Sequence, residues 1–220
     1  MQQLPKSEIA ESSVHFGNIV SATPIDALTI ENVIDRIVTL NTKLASFWSK
    51  SDGWAPAHAA GLLGKSRLDW QVSLSSTLRM WASSAELAPG ELILAWANLG
   101  SLLEGSVKLL LSVYYDTYRT DLENLKKSNA YDHKKGAPHS PDGLALESLR
   151  KYCLAGAIFD AEHLLLMDLV QQRRNAIHAF KDRPIGDATE FEGAVRGYLS
   201  FLREVVRRLP YPDDIYVPRE

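Results

Sequence analysis

With 220 residues, of which 45% are hydrophobic and 23% charged, the chain has the composition of an ordinary globular protein that can bury a core of its own. Its single cysteine, Cys153, excludes a disulfide framework and a zinc site built from several cysteines. The net charge of −3 excludes a general attraction to nucleic acid, so any RNA contact must come from a local basic patch.

Targeting signals are not apparent in the sequence. The first residues lack the basic start and apolar run of a secretory signal. The longest apolar region, residues 92–115, is interrupted by Asn98, Glu104 and Lys108, which argues against a membrane span. We therefore expect a cytoplasmic protein that makes no contact with a membrane.

Helical periodicity dominates the chain, and no segment shows clear two-residue alternation. The pattern predicts an all-α fold, with a single helical-bundle domain of five or six helices over residues 25–209. Residues 1–24, which contain two prolines, are interpreted as an N-terminal arm, and residues 210–220 as a C-terminal tail. Helices are predicted at about 29–51, 65–84, 89–118, 144–155, 160–180 and 187–209.

The helix predicted at 89–118 is the most apolar, and it begins at Pro89, a residue type favoured in the first helical turn. Trp96 and Leu103 lie on one apolar face, and Val107 lies on a second. A helix that is apolar on two sides must be covered on both, so we expect this helix at the centre of the bundle.

The helix predicted at 187–209 has a clear start and a clear end. Asp187 can cap it, because its carboxylate can accept from a backbone N–H of the first turn, and Glu190 can reach back in the same way. Pro210 and Pro212 follow the core stripe and cannot continue a helix.

The region 126–143 breaks the helical pattern with glycine, proline and four lysines. It is predicted to be a long mobile loop, and loops of this length are often functional or disordered. His133 and His139 could form a metal site with Asp132 or Asp142, and the lysines could contact RNA phosphates. A solvated loop is the favoured interpretation, because no rigid scaffold is apparent.

The sharpest local pattern is the run QQRRNAIH at residues 171–178, at the end of a predicted helix. At 100° per residue, Arg173 falls in the centre of an apolar stripe, whereas Arg174 and His178 share the opposite side with Met167. The apolar stripe consists of Leu166, Leu169, Val170, Ile177 and Phe180. The helix is therefore expected to bury its Arg173 face and to present a half-apolar face that carries a guanidinium beside an imidazole.

A guanidinium in an apolar stripe is costly unless a carboxylate neutralises it. Glu104 interrupts the second apolar row of the central helix, so we expect it to pair with Arg173. On this interpretation Arg173–Glu104 is a structural ion pair, and Arg174 and His178 are solvated cations at a helix C-terminus, where the helix dipole favours them. Spacing alone favours this structural interpretation over a catalytic one.

The same residues resemble a known family. The segment 168–178 is similar to the signature of HEPN domains, in which an arginine is followed after four to six residues by a histidine. The run 98–111, in which Glu104 precedes Lys108 among leucines, resembles the acidic helix of that family. The order of these parts also agrees, and the resemblance covers roughly residues 90–208.

The resemblance implies a HEPN-like bundle that cleaves RNA without a metal ion or other cofactor, in a toxin or anti-phage defence role. His178 would act as general acid or base, and Arg173 and Arg174 would stabilise charge on the scissile phosphate. Glu104 and Asn175 would support the site. The implied partners are the RNA substrate, a second copy in a homodimer, and an antitoxin or regulatory protein.

Two questions stay open in the sequence. Arg173 has the regular spacing to His178 but is followed by Arg174, whereas Arg174 precedes Asn175, as in the family, but lies one residue closer to the histidine. Either arginine can therefore be the catalytic one. The main alternative is an inactive HEPN-like module that binds a protein or nucleotide partner, and a purely structural helical subunit is a third reading.

Overall fold

Helices account for most of the chain in the computed structural model, which describes residues 23–178, 180 and 182–220. The all-α class predicted from the periodicity is thus confirmed. The predicted arm lies outside the described residues except for its last two. The α-helices are α1 (Ile30–Trp48), α2 (Ala57–Lys65), α3 (Leu68–Thr77), α4 (Arg79–Ala82), α5 (Pro89–Val113), α6 (Tyr115–Thr120), α7 (Leu122–Lys127), α8 (Leu146–Ala155), α9 (Ala161–Arg174) and α10 (Ala188–Arg208). Short 3-10 helices occur at Ile25–Ala27, Pro141–Gly143, Asn175–Ile177 and Asp214–Tyr216, and one antiparallel pair joins β1 (Tyr131–Asp132) to β2 (Ala137–Pro138).

The central position predicted for the most apolar helix is confirmed. α5 contacts α2, α3, α8, α9 and α10, and it begins at Pro89 as expected. Trp96 and Leu103 are fully buried on one side, and Val107 and Leu111 are fully buried on the other. Burying one such aliphatic side chain stabilises the fold by about 1.5–3 kcal/mol, so α5 contributes much of the core.

α10 closes the bundle and packs on α1, α5 and α9. The cap predicted at Asp187 is confirmed, since its Oδ1 accepts from the Glu190 N–H at 2.8 Å. The Glu190 side chain was expected to reach back to the start of the helix, but its carboxylate instead accepts two bonds from Arg173. The guanidinium of Arg173 is a charged donor, whereas the backbone N–H at the start of the helix is neutral. Hydrogen bonds from charged donors are stronger than those from neutral ones, so Glu190 pairs with Arg173.

The helix predicted to run to residue 180 ends earlier. α9 stops at Arg174, and the chain then tightens into the 3-10 turn Asn175–Ile177. Ile177 is half-exposed and Phe180 is fully exposed, although both were expected in the buried stripe. A 3-10 turn has three residues per turn, so the 100° spacing that placed them there does not hold beyond α9.

The region predicted as a long mobile loop contains regular structure. α7 covers its start, and a small hairpin pairs Tyr131 with Pro138 and Asp132 with Ala137. Strands of two residues are too short to leave a visible alternation in the sequence, which is why the hairpin was not predicted.

The tail after α10 packs back on the helices. Tyr211 packs against Phe47 and Trp48, and the carboxylate of Glu220 pairs with Arg203. Across the described residues, every helix is too short or too polar to cross a membrane.

Candidate functional site

The buried row of α9 decides where its charged residues lie. His163, Met167 and Val170 are the buried members of the helix, at a spacing of four and three residues. The next position in this row is Arg174, so Arg174 lies on the same side of α9 as these three residues. The Arg173 side chain is only 14% exposed, but it lies on a neighbouring side of the helix. The expected half-apolar face with Met167 was therefore wrong, because Met167 is fully buried, and His163 is buried as well.

Arg174 reaches the middle of the central helix. Its Nη1 donates to Oε2 of Glu104 at 2.7 Å, and its side chain is about one third exposed. The stem of Arg174 crosses α5 at Gly100, where a Cβ atom would lie 2.7 Å from Arg174 Cδ. Gly100 is therefore the residue that lets the arginine pass close to the α5 backbone, since any larger side chain would push it away.

Glu104 holds two cations. Its Oε1 accepts from Lys108 Nζ at 2.8 Å, one helical turn along α5, while Oε2 accepts from Arg174. Burial raises the pKa of the Glu104 carboxyl, but the bonds and charges of Lys108 and Arg174 outweigh it, so the net shift of the pKa is downward. The carboxylate is thus held in its charged form, with one positive charge in excess around it.

Arg173 belongs to a different cluster. Its Nε and Nη2 donate to the two carboxylate oxygens of Glu190 at 2.7 and 2.9 Å, and its Nη1 donates to the Pro184 carbonyl at 2.8 Å. The predicted Arg173–Glu104 pair is therefore wrong. The bidentate pair instead ties the end of α9 to the start of α10 across the connecting segment, and Gly186, at φ +70°, leaves room for it.

Asn175 and His178 follow the end of α9. Asn175 is the C-terminal cap residue, half-buried, and its carbonyl accepts from the His178 N–H at 3.3 Å. The His178 side chain is exposed, and the described residues include no hydrogen-bond or ion-pair partner for its ring. The 3-10 turn also rotates His178 away from the row that carries Arg174.

The structure thus brings together only some of the predicted site residues. Arg174 and Glu104 meet, and Lys108 joins them; Arg173 is held apart by Glu190. His178 projects into solvent beyond them. The sequence contained a signal for Lys108, because it lies four residues after Glu104, but the position of Arg174 depends on how α9 crosses α5 and is not encoded in either segment alone.

Two other candidates have structural explanations. Burial raises the pKa of the Cys153 thiol to about 12, so this thiol is a poor nucleophile. His163 lies between Asp160 and Ser200, with Nε2 at 3.3 Å from Ser200 Oγ. Its Nδ1 is 2.9 Å from Asp160 Oδ1 but without the alignment of a hydrogen bond, so the three residues lack the oriented base of a catalytic triad.

Lys108 and Arg174 both donate to Glu104. A phosphate bound at this cluster would therefore have to share these two cations with the Glu104 carboxylate. The exposed imidazole of His178 is free to exchange protons with a ligand. In the described part of the chain, there is no group of three or more His, Cys, Asp or Glu side chains that could hold a metal ion. Comparison with protein-family models, with curated proteins and with solved structures yields no match for this chain.

Proposed function

We propose that the chain is a HEPN-like endoribonuclease that cleaves RNA without a metal ion, in a toxin or anti-phage defence role. The observation that carries the proposal is the bond between Arg174 and Glu104. It links the two segments on which the resemblance rests, the acidic run of α5 and the arginine-to-histidine run that ends α9. It also favours Arg174 as the arginine of the site, because Arg173 is fully engaged by Glu190 and Pro184.

The proposed chemistry is an attack of the RNA 2′-hydroxyl oxygen on the adjacent phosphorus. His178 takes the proton of the 2′-hydroxyl, or gives a proton to the departing 5′ oxygen, as the P–O5′ bond breaks. Arg174 stabilises the charge on the phosphate oxygens, for which a planar guanidinium is better suited than an ammonium. Glu104 orients Arg174, so it is a positioning residue, and Asn175 fixes the turn that leads to the histidine.

A second copy of the chain would complete such a site, because the site of a single chain contains one imidazole, that of His178, to act as both acid and base. Two apolar side chains close to His178 in the sequence, those of Ile177 and Phe180, remain exposed. An exposed apolar patch of this kind suits a two-fold contact in which the same residues meet on both copies. The side of α9 that carries Met167 cannot make this contact, because Met167 is fully buried.

The test is cleavage of a labelled single-stranded RNA by the full chain, with and without EDTA. Wild type is expected to cleave equally in both, and His178→Ala is expected to lose activity by about 10²–10⁴-fold, as general acid–base groups usually do. His58→Ala is the matched control, since His58 is an exposed histidine on α2 and should be dispensable. Cleavage that survives in His178→Ala, or that EDTA abolishes, would overturn the proposal.

A second candidate function has its own support. Both arginines already have carboxylate partners, so a phosphate has to compete with Glu190 or Glu104 for either of them. This arrangement favours an inactive HEPN-like module that binds a protein or nucleotide partner. Wild type and His178→Ala that are equally inert on RNA, while both remain folded, would support this reading.

A further inference from the structure

Residues 126–139 form a surface feature that we call the lysine hairpin. It consists of the end of α7, β1, the tip at residues 133–136, and β2. Four of its residues are lysines, whereas the only carboxylates from α7 to the end of the hairpin are Glu123 and Asp132. In a chain of net charge −3, this is a local excess of positive charge.

The base of the hairpin is anchored in the core. Ala130 is fully buried, and its N–H donates to the Leu125 carbonyl at 3.0 Å. The His139 N–H donates to the Ala130 carbonyl at 2.8 Å, and the hydroxyl of Tyr118 donates to the His139 carbonyl at 2.7 Å. Both arms of the hairpin are therefore fixed to buried groups.

The tip has a defined turn. Oδ1 of Asp132 accepts from the backbone N–H groups of Lys134 and Lys135 at 2.9 and 3.1 Å, and Gly136 supplies the left-handed conformation at φ +65°. Oδ1 of Asp132 is thus occupied by the backbone, and both lysines are exposed to solvent, Lys135 with its ammonium at the limit of ion-pair distance from Oδ2 of Asp132. The Lys135 side chain is 83% exposed and lies 4.0 Å from the nearer Asp132 oxygen.

Aromatic rings lie among these cations. Lys126 Nζ is 5.2 Å from the ring centroid of Tyr131, and the ring of His133 meets Tyr131 edge to face at 5.2 Å. Surfaces that bind single-stranded nucleic acid combine cations for the phosphates with rings on which bases stack. An acidic protein partner would need the cations but not the rings.

The hairpin also leads towards the candidate site. The 3-10 turn that follows it contacts α5, and Asp142 of this turn lines a cavity of about 200 Å³ together with Lys108. Lys108 in turn shares Glu104 with Arg174. The hairpin and the candidate site are thus connected along one face of α5.

We propose that the lysine hairpin is a binding surface for the phosphate backbone of single-stranded RNA, with Lys134 and Lys135 as its principal phosphate contacts. The inference rests on the proposed function for RNA as the ligand, and it adds the surface that holds the strand. The hairpin binds without regard to base sequence, because ammonium groups read phosphates and not base edges.

The test measures binding rather than cleavage. The full chain with His178→Ala is titrated with a labelled single-stranded RNA of mixed sequence, and fluorescence anisotropy is followed at several salt concentrations. Lys134→Ala with Lys135→Ala is compared with Lys43→Ala with Lys50→Ala, the α1 variant, which removes the same charge from exposed lysines in α1 and just after it. Melting temperatures should stay unchanged in the hairpin variant, since its two side chains are exposed.

The hairpin variant is expected to bind RNA about tenfold more weakly at low salt, and the slope of log K against log salt should shrink by about 1.4, the value for two lost phosphate contacts on a single strand. The α1 variant should match the parent. Equal losses in both variants, or binding unchanged in the hairpin variant, would overturn the inference. Loss of binding in the hairpin variant would sustain it even if wild type failed to cleave RNA, so the two proposals fail separately.

Discussion

Arg174 and Glu104, 70 residues apart in the sequence, are joined by a hydrogen bond of 2.7 Å between Nη1 and Oε2. The bond connects the last residue of α9 to the middle of α5, and Lys108 occupies the other carboxylate oxygen. Since these two cations lower the pKa of Glu104 despite the opposing effect of burial, the contact depends on the charge of the carboxylate.

Glu104→Gln should lower the free energy of unfolding by about 1–2 kcal/mol at pH 7, because the contact is intermediate between an exposed and a buried ion pair. In the wild type, the pKa of the Glu104 carboxyl in the folded protein lies below its unfolded value of 4.5. The stabilisation by the ion pairs is therefore present at pH values above 4.5 and is lost as the pH falls through the folded pKa. Urea unfolding at pH 7 and at pH 3 should therefore show a difference between wild type and variant that shrinks in acid.

Glu147→Gln provides the matched control for this experiment. Glu147 pairs with Lys151 one helical turn along α8, and both side chains are more than one third exposed. Exposed pairs of this kind contribute about 0–1 kcal/mol, so the control should lose less at pH 7 than Glu104→Gln. If the two variants lose similar amounts of unfolding free energy, the half-buried position of Glu104 does not strengthen its ion pairs.

Gly186→Ala should destabilise the protein by about 1–3 kcal/mol, because a side chain at φ +70° is strained and its Cβ would collide with a carboxylate oxygen of Glu190. The collision would also displace Arg173, whose Nε lies near the same point. Thermal unfolding measures the loss. Gly193→Ala is the control: Gly193 is in α10 with open space around it, so alanine should stabilise that helix by up to about 1 kcal/mol.

Local patterns in the sequence predicted the start of a helix well where a start signal precedes a buried stripe, but α2 was not predicted, and the helices predicted at 65–84 and 89–118 are each divided in two. Pro89 and Asp187 mark the beginnings of α5 and α10, where the structure has them. The assignment of partners was less successful. Arg173 and Arg174 differ by 100° around α9, and which of them meets Glu104 is set by the crossing of α9 over α5, a tertiary property.

A second physical reason explains why the candidate site was predicted only in part. If residues 160–180 formed one helix, His178 would lie on the same side as Arg174, and Ile177 would lie in the core. The turn after Arg174 breaks that alignment and leaves both residues exposed. Glu190 is the actual partner of Arg173, but it was predicted only as a capping residue. The two residues are 17 positions apart in the sequence, and helical periodicity does not predict a contact between different helices.

Substituting lysine for each arginine should separate a structural arginine from a functional one. Arg173→Lys cannot bridge both oxygens of Glu190 and the Pro184 carbonyl, so it should cost about 2 kcal/mol of stability. Arg174→Lys can keep one bond to Glu104 and should cost less stability, yet lose most of the RNA cleavage. Melting temperature and cleavage rate, measured on both variants, distinguish the roles; a stable but inactive Arg173→Lys would reassign catalysis to Arg173.

Gly100→Ala should be coupled to Arg174 in a double-mutant cycle. In the wild-type background the new Cβ would lie 2.7 Å from Arg174 Cδ and 3.1 Å from its Cβ, so the arginine must shift away from Glu104 and stability should fall. In the Arg174→Ala background the Cδ contact is gone and only the Cβ contact remains. The cost of Gly100→Ala should then shrink, helped by the higher helix propensity of alanine, and the coupling should be about 0.5–3 kcal/mol.

Chemical unfolding of the wild type, both single variants and the double variant measures this coupling. Gly61→Ala, in α2 with no atom near its Cβ position, is the control and should show the same effect in both backgrounds. Additive effects of Gly100→Ala and Arg174→Ala would contradict the close crossing of α9 over α5 on which the Arg174–Glu104 contact depends. The same Gly100→Ala variant can also be assayed for RNA cleavage. If it loses cleavage and shows the coupling in stability, the position of the Arg174 guanidinium is necessary for activity, although Arg174 itself is unchanged.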